Sequence, residues 1–433
     1  MQRRTFLSLL AVPAVAALFP ACGSDSKKKA GTASKVGSVK GQTAHVTTGA
    51  DPTAASAGIN AFATDLFDRL VATDPTANLV FSPASIALAL TMASAGAKGA
   101  TLQEMDSVLH ITDPAAIHRS MNGLSAALAG LNQSKDLTAE GGTGKDEVQL
   151  SIANSLWGQA DLAFEQAFLD LLSSEYDAGM ELVDYKTDAE GARVAINNWV
   201  KEQTKDRIPS LLSPGVLTAD SRLTLVNAIY LKANWAEKFE KSLTTKETFH
   251  APKGDVQVDM MHIERHFGYS SGEGWQAVEL PYTFGTLALT LAVGDTADTK
   301  LPTGDEVFAA STSRLVQLGM PKFDIQTSTD LASVLGALGM ATAFSDKADF
   351  SGMTTAEQLF ISAVIHQANI TVDEEGTEAA AATAVAMAGT SAPAPEETVV
   401  LTIDRPFTFW LHDTANQTIL FTGRINDPSA TRS

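Results

Sequence analysis

An α+β fold built as one large domain is what this sequence predicts, and three observations predict it. Helical periodicity fills the first part of the chain, whereas alternating or fully apolar strand-like runs fill most of the rest. Leu223 to Trp235 (L-T-L-V-N-A-I-Y-L-K-A-N-W) is apolar on both parities, the pattern of a strand covered on both faces in mid-sheet. No internal repeat breaks the 433 residues into units, and 45% hydrophobic content suffices for one sizeable core.

The elements follow in order. Met1 to Ala21 joins a basic head, Arg3-Arg4, to an apolar run too short and proline-broken to span a membrane; it reads as an export signal. The lone cysteine, Cys22, follows small Ala21 and reads as a lipoprotein-type cleavage and lipidation site, although Phe19 and Pro20 depart from the usual residues there. A plain secretory signal cleaved near Ala21 is the alternative. Residues 22–56 carry almost no large apolar side chain and are expected to form a disordered tether, so the folded domain is placed at 57–430.

Ile59, Phe62, Ala63, Leu66, Phe67 and Leu70 recur at helical spacing. Leu79-Val80-Phe81 is a short strand; Ser82 caps and Pro83 opens a helix to Ala95 that is apolar nearly all round and therefore central. Further helices are read over 101–109, 115–131, 163–176 and 188–204, with a polar Gly-rich loop at 132–147 and a strand at 148–157. Strands with tight turns fill 248–293, another covers 316–325, a short helix ends at Gly339, and strands at 360–372, 399–403, 407–411 and 418–425 close the chain.

Chemistry is sparse. The net charge of −19 disfavours nucleic acid and anionic lipid surfaces as partners. No G-x-S-x-G stretch sits at a strand-to-helix turn, as a nucleophile elbow requires; Gly268-Tyr-Ser-Ser-Gly272 falls within the strand-like run. Gly141-Gly142-Thr143-Gly144-Lys145 lacks the Ser/Thr of a phosphate loop, since Asp146 follows. His262 and His266 sit four apart in a strand-like context, where they read as surface residues rather than zinc ligands. No enzyme activity, cofactor or metal is expected.

One stretch stands apart. From Val372 to Ser391 the chain runs V-D-E-E-G-T-E-A-A-A-A-T-A-V-A-M-A-G-T-S, small residues with no aromatic or proline. Its Ala content suits a helix, yet period two also makes it a strand with Thr377, Ala379, Ala381, Thr383, Val385 and Met387 on one face. Glu375 and Glu378 are placed on the opposite, solvent face.

Seven ordered segments resemble the serpins, inhibitors of serine and sometimes cysteine proteases. They are Asn78-Leu-Val-Phe-Ser-Pro-Ala-Ser-Ile, Ile196-Asn-Asn-Trp-Val-Lys-Glu-Gln-Thr, Leu225-Val-Asn-Ala-Ile-Tyr-Leu-Lys-Ala-Asn-Trp, Val258-Asp-Met-Met, Asp373-Glu-Glu-Gly-Thr-Glu-Ala-Ala-Ala, Arg405-Pro-Phe and Ile419-Leu-Phe-Thr-Gly-Arg-Ile. The resemblance spans about 58–428 and implies three β-sheets, eight to nine helices and an exposed reactive-centre loop at about 374–398. It implies a suicide substrate: a protease cuts the loop, becomes acylated, and is distorted when the hinge inserts into the central sheet.

The hinge would be Glu374, Glu375, Gly376, Thr377, Glu378, Ala379, Ala380, Ala381, Ala382 and Thr383. Its small residues suit a strand inserted under covering helices, and proline, which cannot donate, is absent. The family's hinge length places the cut at Thr390–Ser391, with Gly389, Met387 and Val385 as rivals because 391–406 is longer than usual. Such bait suits an elastase-like or subtilisin-like pocket. Ser82, Ser85, Asn227 and His366 match the family's cluster under the sheet centre, and Trp235 the tryptophan where insertion starts; simple capping and a satisfied core imidazole are the plainer readings of Ser82, Ser85 and His366. The expected partner is a serine protease in covalent acyl complex, outside the cell or in the periplasm, met by a monomer held to a membrane only through a lipid on Cys22. A non-inhibitory binding or chaperone role is the alternative.

Overall fold

The computed structural model describes residues 37–138, 144–296, 299–377 and 397–430. Two hydrogen-bonded strand assemblies carry the architecture. The first is an eight-stranded sheet whose path runs Gly37–Val39, Met180–Val183, Lys145–Gln159, Leu223–Asn234, Gly376–Thr377, Ile361–Asp373, Phe323–Asp330, with Gln133–Asp136 paired to Lys145–Gln159. The second has nine strands, from Val399–Thr402 at one edge to Leu79–Phe81 at the other. It joins two of the three expected sheets, because Gly254–Gly272 runs 19 residues and pairs with Thr245–Ala251 and Thr312–Pro321 before it reaches Trp275–Pro281.

Eight α-helical segments surround these sheets among the described residues. Pro83–Ser94 is central as its composition demands: Ser82 Oγ accepts the Ser85 N–H, Pro83 occupies the first turn, and all but one of the residues are buried. It contacts both Lys145–Gln159 and Leu223–Asn234 of the large sheet, and Ile419–Ile425 of the other. Leu223–Asn234 is buried along its length except at Lys232, as apolar residues on both parities require.

Several expectations change. Residues 133–136 pair antiparallel with 145–148, so the loop read at 132–147 contains a hairpin. The strand read at 316–325 is two strands, Thr312–Pro321 and Phe323–Asp330. A further helix, Gly304–Ala310, is opened by a Thr303/Glu306 capping box. The largest correction concerns the tether expected over 22–56, because residues 37–56 are docked. Gly37–Val39 pairs with Met180–Val183, Gly41 N–H donates to Ser173 Oγ (2.8 Å), and Gln42 N–H donates to Asp170 Oδ1 (2.6 Å). Asn122 then receives Thr48 N–H and Oγ1–H and donates to the Val46 and Glu175 carbonyls, and helix Thr53–Thr73 follows. A segment poor in apolar groups is ordered here by polar contacts instead of burial.

Candidate functional site: the hinge and the gate of the large sheet

Ile361–Asp373 ends in a turn made by its last residue. Asp373 Oδ1 accepts the N–H groups of Glu375 (2.8 Å) and Gly376 (3.3 Å), which reverses the chain. Gly376–Thr377 then runs back antiparallel to both neighbours: Gly376 faces Asp373 and Asn234, and Thr377 faces Val372 and Ala233. The start of the hinge therefore already occupies a strand position between the two central strands. Gly376 is required there. Its φ is +147°, and a Cβ would overlap the Ala233 carbonyl oxygen and lie 2.9 Å from Asn234 Cα.

Trp235 fixes this turn from the side. Its indole N–H donates to the Asp373 carbonyl (2.9 Å) and its backbone N–H to the Glu375 carbonyl (2.9 Å). The ring stacks on Tyr282 at 4.4 Å, and the Tyr282 hydroxyl lies 2.6 Å from Thr377 Oγ1. Glu374 and Glu375 are buried, which corrects both the solvent-facing placement of Glu375 and the exposure expected for the loop's first residues. They are buried as ions with partners. Glu374 meets Lys322 at 2.9 Å and accepts from Thr244 Oγ1; Glu375 meets Lys241 at 3.1 Å and Lys238 at 3.6 Å. Burial pulls the Glu374 carboxyl upward, but the Lys322 ammonium and the hydrogen bonds outweigh it and hold the pKa below its ordinary value. Asp373, more weakly compensated, is pushed up by burial.

Below the turn, the two strands pair directly with each other, parallel, from Gln367 and Ala228 to Ile361 and Leu223. A row of polar side chains crosses that closed part: Asn154 opposite Asn227, Asn227 opposite His366, His366 opposite Thr329. Ser82 N–H donates to His366 Nε2 (3.0 Å), Ser85 Oγ donates to Asn154 Oδ1 (2.9 Å), and Asn227 Nδ2 donates to the same oxygen (3.5 Å). Burial pushes the His366 pKa down to about 3, so the ring is neutral and its proton sits on Nδ1. His366 Nδ1, Asn227 Oδ1 and Asn154 Nδ2 are buried without a hydrogen-bond partner. The cluster is thus a tie between strands with spare bonding capacity.

The structure brings Ser82, Ser85, Asn227 and His366 into one cluster and sets Trp235 beside the turn that leads into Gly376–Thr377. Glu378, Ala379, Ala380, Ala381, Ala382 and Thr383, the bait residues Val385, Met387, Gly389, Thr390 and Ser391, and Cys22 lie outside the described residues. Asn154, Tyr282, Lys322, Lys238 and Lys241 went unread. Only Asn154 carried a signal: it interrupts the apolar parity Val148, Leu150, Ile152, Leu156 of its strand. His262 and His266 lie on one strand, ~13 Å apart at ~3.3 Å per residue, and His262 Nε2 is bonded to Glu247 (2.6 Å). Among the described residues no three His, Cys, Asp or Glu side chains are placed to hold a metal ion.

Comparison with known proteins agrees with this geometry. The family model described as Serpin (serine protease inhibitor) matches residues 57–428. Leukocyte elastase inhibitor A of Rattus norvegicus is 36% identical over 385 residues, covering 85% of this chain and 97% of the relative. An uncharacterized serpin-like protein of Thermococcus kodakarensis is 35% identical over 377 residues, 86% of this chain and 85% of its own length. Among solved structures, native tengpin, a thermophilic serpin, superposes with a TM-score of 0.76 at 25% identity, covering 90% of this chain and 97% of its own. Cleaved Serpin 42Da superposes with a TM-score of 0.74 at 30% identity, covering 88% and 100%. With a family match over most of its length and its hinge lying between the central strands, this chain belongs to the serpin family.

Proposed function

We propose that this protein inhibits serine endopeptidases as a suicide substrate. The carrying observation is Gly376–Thr377 seated antiparallel to both central strands, above the point where those strands pair with each other. Continued in that register, residues 378–381 face 232–229 on one side and 371–368 on the other, and Thr383 arrives between Asn227 and His366, where the gate must part. About fifteen inserted residues gaining about one net hydrogen bond each release roughly 10–20 kcal/mol, enough in principle to distort a bound protease.

In this reading the protease serine attacks the carbonyl of the bait residue, the Thr390–Ser391 amide breaks, and the hinge inserts before water reaches the ester. The small side chains around Thr390 fit an elastase-like or subtilisin-like pocket, and the relatives named leukocyte elastase inhibitors point the same way. The same reading has the protein act as an exported monomer, carried by the Arg3-Arg4 signal and attached through a lipid on Cys22.

The test incubates the full chain with pancreatic elastase and with subtilisin, followed by denaturing gels and mass spectrometry. A boiling-resistant complex and a released peptide beginning at Ser391 are expected. Cleavage with neither a complex nor a gain in thermal stability of the cleaved form overturns insertion and leaves the non-inhibitory role. Mass spectrometry of the mature N-terminus tests the lipid: an unmodified Gly23 or Cys22 terminus overturns that part.

A further inference from the structure

Thr377 is the deepest described residue of the hinge, and its side chain is gripped from outside the large sheet. Tyr282 follows strand Trp275–Pro281 of the nine-stranded assembly, and its hydroxyl lies 2.6 Å from Thr377 Oγ1 with both residues buried. The ring has no freedom to drift. It stacks on Trp235 at an interplanar angle of 13°, Tyr282 N–H donates to the Leu287 carbonyl (2.9 Å), and Ala236 N–H donates to the neighbouring Pro281 carbonyl (3.0 Å). Trp235 is itself bonded to the carbonyls of Asp373 and Glu375. One rigid aromatic pair thus holds the turn by its backbone and Thr377 by its hydroxyl.

We propose that Tyr282 is a positioning residue for inhibition: its phenol holds Thr377 between the central strands and fixes the register from which the cleaved loop inserts. The proposal rests on the insertion reading above. The chemistry is specific to a paired hydroxyl. Burial pushes the phenol pKa well above its ordinary value, so the group meets Thr377 Oγ1 as a neutral hydroxyl. Removing one hydroxyl strands the other in a dry site, whereas removing both leaves an apolar contact of nearly the same shape.

The test is a double-mutant cycle of Tyr282→Phe and Thr377→Val with two readouts. In the uncleaved protein, amide hydrogen exchange is followed at Gly376 and Thr377. With pancreatic elastase as probe, the ratio of cleaved inhibitor to covalent complex is measured. Each single variant should raise exchange at the hinge and increase that ratio roughly five-fold, and the double variant should return to within about two-fold of the parent. Thermal unfolding serves as the control, because a merely structural role lowers the melting temperature without moving the partition. Singles that leave exchange and partition unchanged, or a double variant whose effects simply add, overturn the proposal. If the parent itself forms no complex with elastase the insertion reading fails for that protease, and the exchange measurement alone still decides whether Tyr282 grips the hinge.

Discussion

Replacing Gly376 by alanine should unseat the hinge while leaving the rest of the body folded. The residue sits at φ +147°, where an L side chain costs about 1–3 kcal/mol, and its new Cβ would overlap the Ala233 carbonyl. Relief of that overlap requires Gly376–Thr377 to move off both strands, so about 2–4 kcal/mol of seating is lost. The uncleaved form can escape the overlap by unseating two residues, whereas a cleaved form with the whole loop inserted cannot, so the penalty is larger after cleavage. The assay compares thermal unfolding of uncleaved and loop-cleaved forms for parent and variant, together with the complex-to-cleavage partition. The gain on cleavage should shrink by several degrees, and insertion should slow by roughly 30-fold or more if about 2 kcal/mol of the cost is felt at its barrier. Gly254→Ala is the control. That glycine also has a positive φ, +122°, but nothing lies within 4 Å of its Cβ position and it is remote from the hinge. A variant Gly376→Ala with unchanged partition and unchanged gain would refute the seating described here.

Other outcomes follow from single contacts. Asn122→Ala removes the anchor of residues 46–48 and should cost about 2 kcal/mol, read by urea unfolding and by raised amide exchange at Val46 and Thr48. Lys322→Ala leaves the Glu374 carboxylate buried beside Thr244; because Lys322 is half exposed, the loss should be about 2 kcal/mol, below the 3–5 of a fully buried pair, and a Glu374→Gln second change should recover most of it. Asn154→Ala removes the shared acceptor of Ser85 and Asn227 and should lower stability by about 2 kcal/mol, checked by chemical denaturation. Burial depresses the pKa of His366 to about 3 and of His412 to about 4, so the folded protein binds fewer protons than the unfolded chain below about pH 6.5. Stability should therefore fall as pH drops through that window, by about 2 kcal/mol per histidine at pH 5; Tm flat between pH 7 and 5 in a His412→Gln background would contradict the His366 share.

The candidate site was legible wherever its residues obey a local rule. Ser82 and Pro83 announce a helix start by a local rule, whereas the hinge at Gly376 was marked by the resemblance to the serpins. What local rules hide is the partner across the sheet. Tyr282 and Lys322 belong to strands and turns remote in sequence, and Glu375 looked solvent-bound because an acid in an alternating pattern normally is. Its burial depends on Lys238 and Lys241 arriving from another segment.

By itself the sequence determined the α+β class, the doubly buried strand at 223–234, the capped central helix and the proline-free hinge, because propensity, parity and capping act over a few residues. Only the tertiary structure decided that residues 37–56 dock, that the acids of the hinge are paired with lysines, and that Thr377 lies between the two central strands. Those outcomes rest on hydrogen bonds and ion pairs between residues tens to hundreds of positions apart, and such contacts leave no periodic trace along the chain.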